Sequence, residues 1–216
     1  MSRRARCAQC LRPQHTCLCA LAQPVEHAVQ LLVLQHPEEE LQAKGTGRLL
    51  HLCLPASRLA VGEAFGEQAL HALLHGPWQP GDAPRQPVLL YPDTPHGGQL
   101  GLAQAAAWPE PVPRPEGLRL VVLDATWRKS RKMLYLNPGL QALPRLELQG
   151  DLPASRYGTL RKAHAPNQLS TLEATACALE RLDAQGPSLQ PLRGALAGFL
   201  ALHAAHRPQA SPVTSR

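Results

Sequence analysis

At Asp124-Ala125-Thr126-Trp127 an acid, a hydroxyl and an indole stand within four residues, and four of the next five positions, Arg128, Lys129, Arg131 and Lys132, are basic. A carboxylate and an aromatic face both attract a cation, whereas a basic helix attracts phosphates. Together these residue types point to a cationic small molecule and a nucleic acid brought to one place. Taken singly, each has a plainer use: Asp124 as a cap for the helix starting at Thr126, Trp127 as a core anchor, the basic residues as a solvated helix face.

A second group lies at the amino terminus, where Cys7-x2-Cys10 and Cys17-x-Cys19 are separated by six residues. Two close pairs joined by a turn, which Pro13 favours, can converge four sulfurs on one tetrahedral zinc ion. With four protein ligands no position stays open for water, so such a metal holds structure rather than catalysing; His15 is a spare ligand. Disulfides suit secreted chains, and the Arg-rich start "MSRRARC" is not followed by the apolar segment of a secretory signal. Arg3, Arg4, Arg6 and Arg12 give this knuckle a basic surface that RNA can use. Cys53 and Cys177 sit among apolar residues and read as packing.

These groups need elements to hold them. Ala28 to Leu34, Ser57 to Val61, "QPVLLYP" and Leu118 to Leu123 read as strands, with a further one near Leu146-Glu147-Leu148. Helical spacing runs from Thr46, a plausible N-cap, and around Glu67 to Leu74, Leu100 to Ala107, Thr126 to the break at Asn137-Pro138-Gly139, Ser170 to Leu182 and Pro191 to His206. Apolar strands alternating with helices predict an α/β fold, a mostly parallel sheet with helices on both faces. Ligands gather beyond the carboxyl ends of such strands, where Tyr91-Pro92 and Asp124 to Trp127 stand. Neither a Gly-x-Gly-x-x-Gly after the first strand nor a Walker lysine loop is present, and "KGTGRL" lacks that spacing, so ordinary dinucleotide or P-loop binding finds no support.

The formal charge of +6 leans towards a polyanionic partner. A chain of 216 residues suits one main domain with an appendage: a cysteine segment over 1–25, an α/β domain over 26–207 and a disordered tail over 208–216. Pro77 to Pro87 and Pro109 to Pro115 read as loops. No apolar run reaches the ~18 to 20 residues that span a bilayer, so a cytoplasmic protein without a membrane partner is expected.

"LDATW" resembles the signature of the DTW-domain family, Asp-x-Thr-Trp, here Asp124, Thr126 and Trp127. The cysteine cluster, "TGRLL" (Thr46 to Leu50), "LLYP" (Leu89 to Pro92), "RKM" (Arg131 to Met133), "YGTLR" (Tyr157 to Arg161) and "STLEATA" (Ser170 to Ala176) stand in the same order as in that family, over about residues 7 to 183. Gly45 departs from it, where the family pattern has Asn before Thr-Gly-Arg. The resemblance implies a tRNA-uridine aminocarboxypropyltransferase related to the knotted SPOUT enzymes, with a carboxy-terminal knot. Such an enzyme moves the 3-amino-3-carboxypropyl group of S-adenosylmethionine to N3 of a tRNA uridine and leaves 5′-methylthioadenosine.

That resemblance also implies a site. The loops after successive strands would wrap the adenosine, giving Tyr91, Pro92, Leu123, Asp124, Thr126, Ser170 and Thr171 as cofactor residues and Asp124 with Trp127 as the catalytic pair. Asp124 either takes the N3 proton or steadies the cation. Arg48, Arg128, Lys129, Arg131, Lys132, Arg161 and Lys162 would hold tRNA phosphates, and Glu173 is either a site residue or a capping acid reaching back to Ser170. Two other readings stay open: a SPOUT-type RNA methyltransferase, and a non-catalytic zinc-knuckle RNA-binding protein.

Overall fold

A computed structural model describes residues 5–93, 101–150, 152–159 and 169–205. Arg3, Arg4, Leu100, Arg161, Lys162, His206 and the expected tail lie outside them. Five strands, β1 (Gln30–Gln35), β2 (Ser57–Val61), β3 (Gln86–Leu90), β4 (Leu118–Asp124) and β5 (Arg145–Leu146), form one sheet in the order β2-β1-β4-β3-β5, every pairing parallel. β1 and β4 are buried along their whole length, as unbroken apolar runs require when helices cover both faces.

Alternation along the strands sorts the core into two halves. Leu31, Val33, Leu118, Leu120 and Val122 pack with α1 (Gly47–Cys53), α5 (Thr171–Leu182) and α6 (Gln190–Ala205). Leu32, Leu34, Val121 and Leu123 pack on the other face with α2 (Glu67–His75), α3 (Trp127–Leu136) and α4 (Pro138–Gln141). Each fully buried Leu or Val stabilises the fold by roughly 1.5–3 kcal/mol. Cys10 and Leu18 belong to the first half, so the cysteine segment is packed onto the sheet unit. The two-residue period also sets the site: Gln35 and Asp124, the last residues of β1 and β4, are register partners on the α1/α5 side.

A charged residue remote from the carboxyl ends of the strands also sits inside this frame. Arg119, 1% exposed, sends its guanidinium to the carbonyls of Leu73, Leu74 and Gly76 at 2.9, 2.7 and 3.0 Å, closing the carboxyl end of α2. It also donates to Gln30 Oε1 and lies 4.4 Å over the Trp78 ring. Burial, then the neighbouring Arg85 and Arg58, lower its pKa to about 10.

Three expectations change. Residues 101–107 are irregular rather than helical: the Ala103 and Ala106 amides bond to Gln141 Oε1 and the Ala142 carbonyl, so tertiary partners outweigh alanine's propensity. Thr46 stands at the start of α1 but its hydroxyl makes no capping bond; it accepts instead from the Leu172 amide of α5 at 3.3 Å. The last strand is Arg145–Leu146, shorter and earlier than the run at 146–148. α3 ends at Asn137 as its sequence demands, and Pro138 then starts the single-turn α4.

Candidate functional site

Asp124 ends the central strand and is 4% exposed. Its Oδ2 accepts from Gln35 Nε2 at 2.7 Å and its Oδ1 from Thr171 Oγ1 at 2.6 Å. The Gln35 donor follows from the parallel register, and the Thr171 donor from α5 starting beside the end of β4. Gly47 closes the third side, because a Cβ there would lie 2.2 Å from Oδ2 and 2.5 Å from Cγ. "TGRLL" therefore needs glycine where the carboxylate presses on the backbone. Asp124 does not cap α3; Thr126 holds the N-cap position, with no capping bond, and its hydroxyl makes no hydrogen bond among the described residues.

The carboxylate lies on the wall of a cleft of about 990 Å³ at the carboxyl ends of the strands. All seven expected cofactor residues, Tyr91, Pro92, Leu123, Asp124, Thr126, Ser170 and Thr171, line it, with Trp127, Arg128 and Arg131. Trp127 is no core anchor: it is 54% exposed, its ring edge-on to Tyr91 with centroids 6.0 Å apart. Tyr91 is buried, which pushes its hydroxyl pKa up, and the Arg145 guanidinium lies 5.8 Å over its ring. Ser170 caps α5 in a full capping box with Glu173. Glu173 also accepts from the Ser155 hydroxyl and from the Arg156 and Tyr157 amides, so it gathers the loop that forms the far wall.

The basic residues do not form one face. At about 100° per residue, Lys129 turns away from Arg128 and Arg131, to Glu38 at 2.9 Å and the buried Glu39 at 2.8 Å. Burial alone would lower the Lys129 pKa, but these two carboxylates outweigh it and raise it. Lys132 pairs with Glu63 at 2.9 Å and Arg48 with Glu40 at 3.7 Å. Arg128 and Arg131 are exposed and have no carboxylate partner among the described residues. Gln35, Gly47 and Glu39 were assigned no role from the sequence. Gln35 was nonetheless legible as the one polar residue closing an apolar strand at its carboxyl end.

In the amino-terminal segment the four cysteines meet. The Sγ atoms of Cys7, Cys10, Cys17 and Cys19 lie within 4.8 Å of one another, and the pairs Cys7–Cys19 and Cys10–Cys17 are each 3.6 Å apart. Zinc–sulfur bonds of about 2.3 Å in a tetrahedron separate the sulfurs by about 3.8 Å, whereas a disulfide needs about 2.05 Å. The cluster therefore fits a metal ion and not a pair of disulfides. Backbone amides of Cys10 and Gln9 and the Cys19 thiol lower the Cys7 pKa to about 6. Burial, then the Cys7 and Cys17 thiols, push Cys19 up to about 12. Arg12 leads from this knuckle to the cleft, donating to the Gln42 and Gly45 carbonyls at 3.4 and 3.2 Å. At Gly45 it is thus the carbonyl, not a side chain, that makes the contact.

The DTW domain matches residues 4–204, almost the whole chain. The chain belongs to the DTW-domain family. Proteins named tRNA-uridine aminocarboxypropyltransferase 2 are 29% identical in Macaca fascicularis and 30% in Mus musculus, each over 94% of this chain and 66% of the relative. One of the same name from Drosophila melanogaster is 31% identical over 88% of this chain and 72% of its own length. The chain thus spans a little under two thirds of the length of the mammalian relatives. No solved structure matches it. In this DTW-domain protein the signature residues are the ones that meet at the cleft, the acid inside and the indole at its mouth. Among the described residues no helix is long and apolar enough to cross a membrane.

Proposed function

We propose that the protein transfers the 3-amino-3-carboxypropyl group of S-adenosylmethionine to N3 of a uridine in tRNA, releasing 5′-methylthioadenosine. The observation that carries this reading is Asp124, held by Gln35, Thr171 and Gly47 on the wall of a cleft whose mouth carries Trp127, Arg128 and Arg131. The name that the relatives carry supports the same reaction class. A volume of about 990 Å³ lies at the upper end of ordinary ligand pockets, enough for the donor and an inserted base.

The sulfonium donor offers three carbons to attack, and the one held in line with the nucleophile reacts. N3 gains a bond to the aminocarboxypropyl carbon and its proton passes to solvent water; the carbon–sulfur pair of electrons stays on sulfur, which becomes neutral. Asp124 suits the cation better than the proton. The donors Gln35 and Thr171 stabilise its negative charge, which favours the role that needs Asp124 ionised, steadying the sulfonium or the amino group. Thr126, whose hydroxyl does not cap α3, and Ser170 complete the donor's pocket with Tyr91, Pro92 and Leu123. Arg128 and Arg131 hold tRNA phosphates at the mouth, with Arg48, Lys132, Arg161 and Lys162 in the wider basic set, whereas Lys129 is committed to Glu38 and Glu39.

The cysteine cluster would hold a structural zinc ion that fixes the knuckle, with no part in the chemistry. The α/β unit is of the SPOUT-related knotted kind. This is supported by the chain leaving β5 at the sheet edge and returning as α5 against β4 and α1. The decisive experiment incubates purified protein with S-adenosylmethionine and unmodified tRNA and identifies the nucleoside and the by-product by mass spectrometry. Methylthioadenosine with 3-(3-amino-3-carboxypropyl)uridine is expected. S-adenosylhomocysteine would make it a methyltransferase, and no donor turnover would leave a zinc-knuckle RNA-binding protein.

A further inference from the structure

Among the described residues six large hydrophobic side chains stand exposed, and three of them, Trp127, Tyr135 and Leu136, lie on α3. The exposed positions of this helix are Trp127, Arg128, Arg131, Lys132, Tyr135 and Leu136, and none is acidic. Four-residue spacing aligns Trp127, Arg131 and Tyr135 in one stripe, an arginine between two aromatic rings. Trp127 opens onto the cleft, whereas Tyr135, 59% exposed, lies outside it, about 12 Å further along the helix axis. Solvated helix faces usually mix charge signs and carry few aromatics, so this one is arranged for a partner.

We propose that the Trp127–Arg131–Tyr135 stripe is a stacking platform for a single-stranded RNA segment that leads into the cleft. Trp127 takes a base at the mouth, Tyr135 takes a neighbouring base outside it, and Arg131 offers its plane to bases and its fork to the phosphate between them. The single strand follows from the rings: they stack only on bases that are not already stacked in a duplex. RNA rather than a protein follows from the charge, since among the described residues Arg128 and Arg131 meet no carboxylate beside the rings, and the stripe is continuous with the cleft mouth. The inference rests on the RNA-substrate reading above for its partner, but not on the reaction.

The test measures binding of the full chain to a labelled oligouridylate of about twelve nucleotides and to an RNA duplex of equal length by fluorescence anisotropy, across a salt series. The single strand is expected to bind more tightly. Tyr135→Ala should weaken it about 5- to 150-fold without changing the salt slope, and Tyr135→Phe should retain affinity. Arg131→Ala should instead reduce the slope by about 0.7. An unchanged thermal midpoint in Tyr135→Ala shows that the fold is kept. Wild-type affinity in Tyr135→Ala, equal losses in the Phe and Ala variants, or a duplex bound as tightly as the single strand would overturn the inference. So would sedimentation showing a dimer that Tyr135→Ala breaks, which would give the face to a second copy. If tRNA gains no modification while the oligonucleotide results hold, the reaction is wrong and the platform stands; if modification proceeds and Tyr135→Ala binds normally, only the platform falls.

Discussion

Replacing Gly47 by alanine tests how the carboxylate is held. The new methyl would meet Asp124 Oδ2 at 2.2 Å, where ordinary contact is about 3.4 Å, so one side must retreat by about 1.2 Å. The carboxylate is the softer element, and a shift of that size breaks its bonds to Gln35 Nε2 and Thr171 Oγ1, now 2.7 and 2.6 Å. Hydrogen bonds to a charged group contribute about 1.5–3 kcal/mol each, while alanine regains up to about 1 kcal/mol of helix propensity. The net cost is about 2–5 kcal/mol, read from urea unfolding. A misplacement near 1 Å at the reacting centre also lowers turnover about 10²-fold, read as methylthioadenosine release. Gly45→Ala is the milder comparison: its Cβ would meet the Gln42 and Glu39 carbonyls at 3.3 and 3.4 Å, a strain relieved by a far smaller shift, so both losses should be much smaller than in Gly47→Ala. In the Gly47→Ala/Asp124→Ala double variant the clash disappears, and the stability losses should fall well short of additive. Additive losses, or wild-type turnover in Gly47→Ala alone, would refute the clash.

Asp124→Ala should abolish aminocarboxypropyl transfer while the metal content of the purified protein stays that of the wild type. Arg119→Met should destabilise the fold by about 1–3 kcal/mol in urea unfolding without altering donor affinity, because it strips the carbonyls at the end of α2 of a buried donor far from the cleft. Lys129→Met should cost on the order of 3 kcal/mol through the buried Glu39 carboxylate and leave the salt slope of RNA binding unchanged. The hydrogen bond from Lys129 holds the Glu38 carboxyl below its ordinary 4.5. The stabilisation from that lowered value is complete above the ordinary value and disappears as pH falls through the folded one. Thermal midpoints from about pH 7 to 3 should therefore decline less steeply at the acid end in Lys129→Met than in the wild type.

Much of the architecture was legible along the chain. The unbroken apolar runs at Leu31 to Leu34 and Leu118 to Leu123 marked buried parallel strands, and the Ser170–Glu173 pair marked the start of α5. Misreadings came where a local preference met a distant partner. The alanines near 105 bonded to the end of α4 instead of coiling, and Lys129 turned from a basic run to Glu38 and Glu39.

The site divides in the same way. Residue types and spacing within a few positions determined the acid at the end of the central strand, the indole after it and the cysteine pairs, because strand alternation, helix pitch and metal ligation act over that range. Only the folded chain decided what holds Asp124: Gln35 reaches it across 89 residues and Thr171 across 47. Those distances are closed by the β2-β1-β4-β3-β5 order and the return of α5 to β4, which depend on how two apolar faces are covered and not on any short stretch.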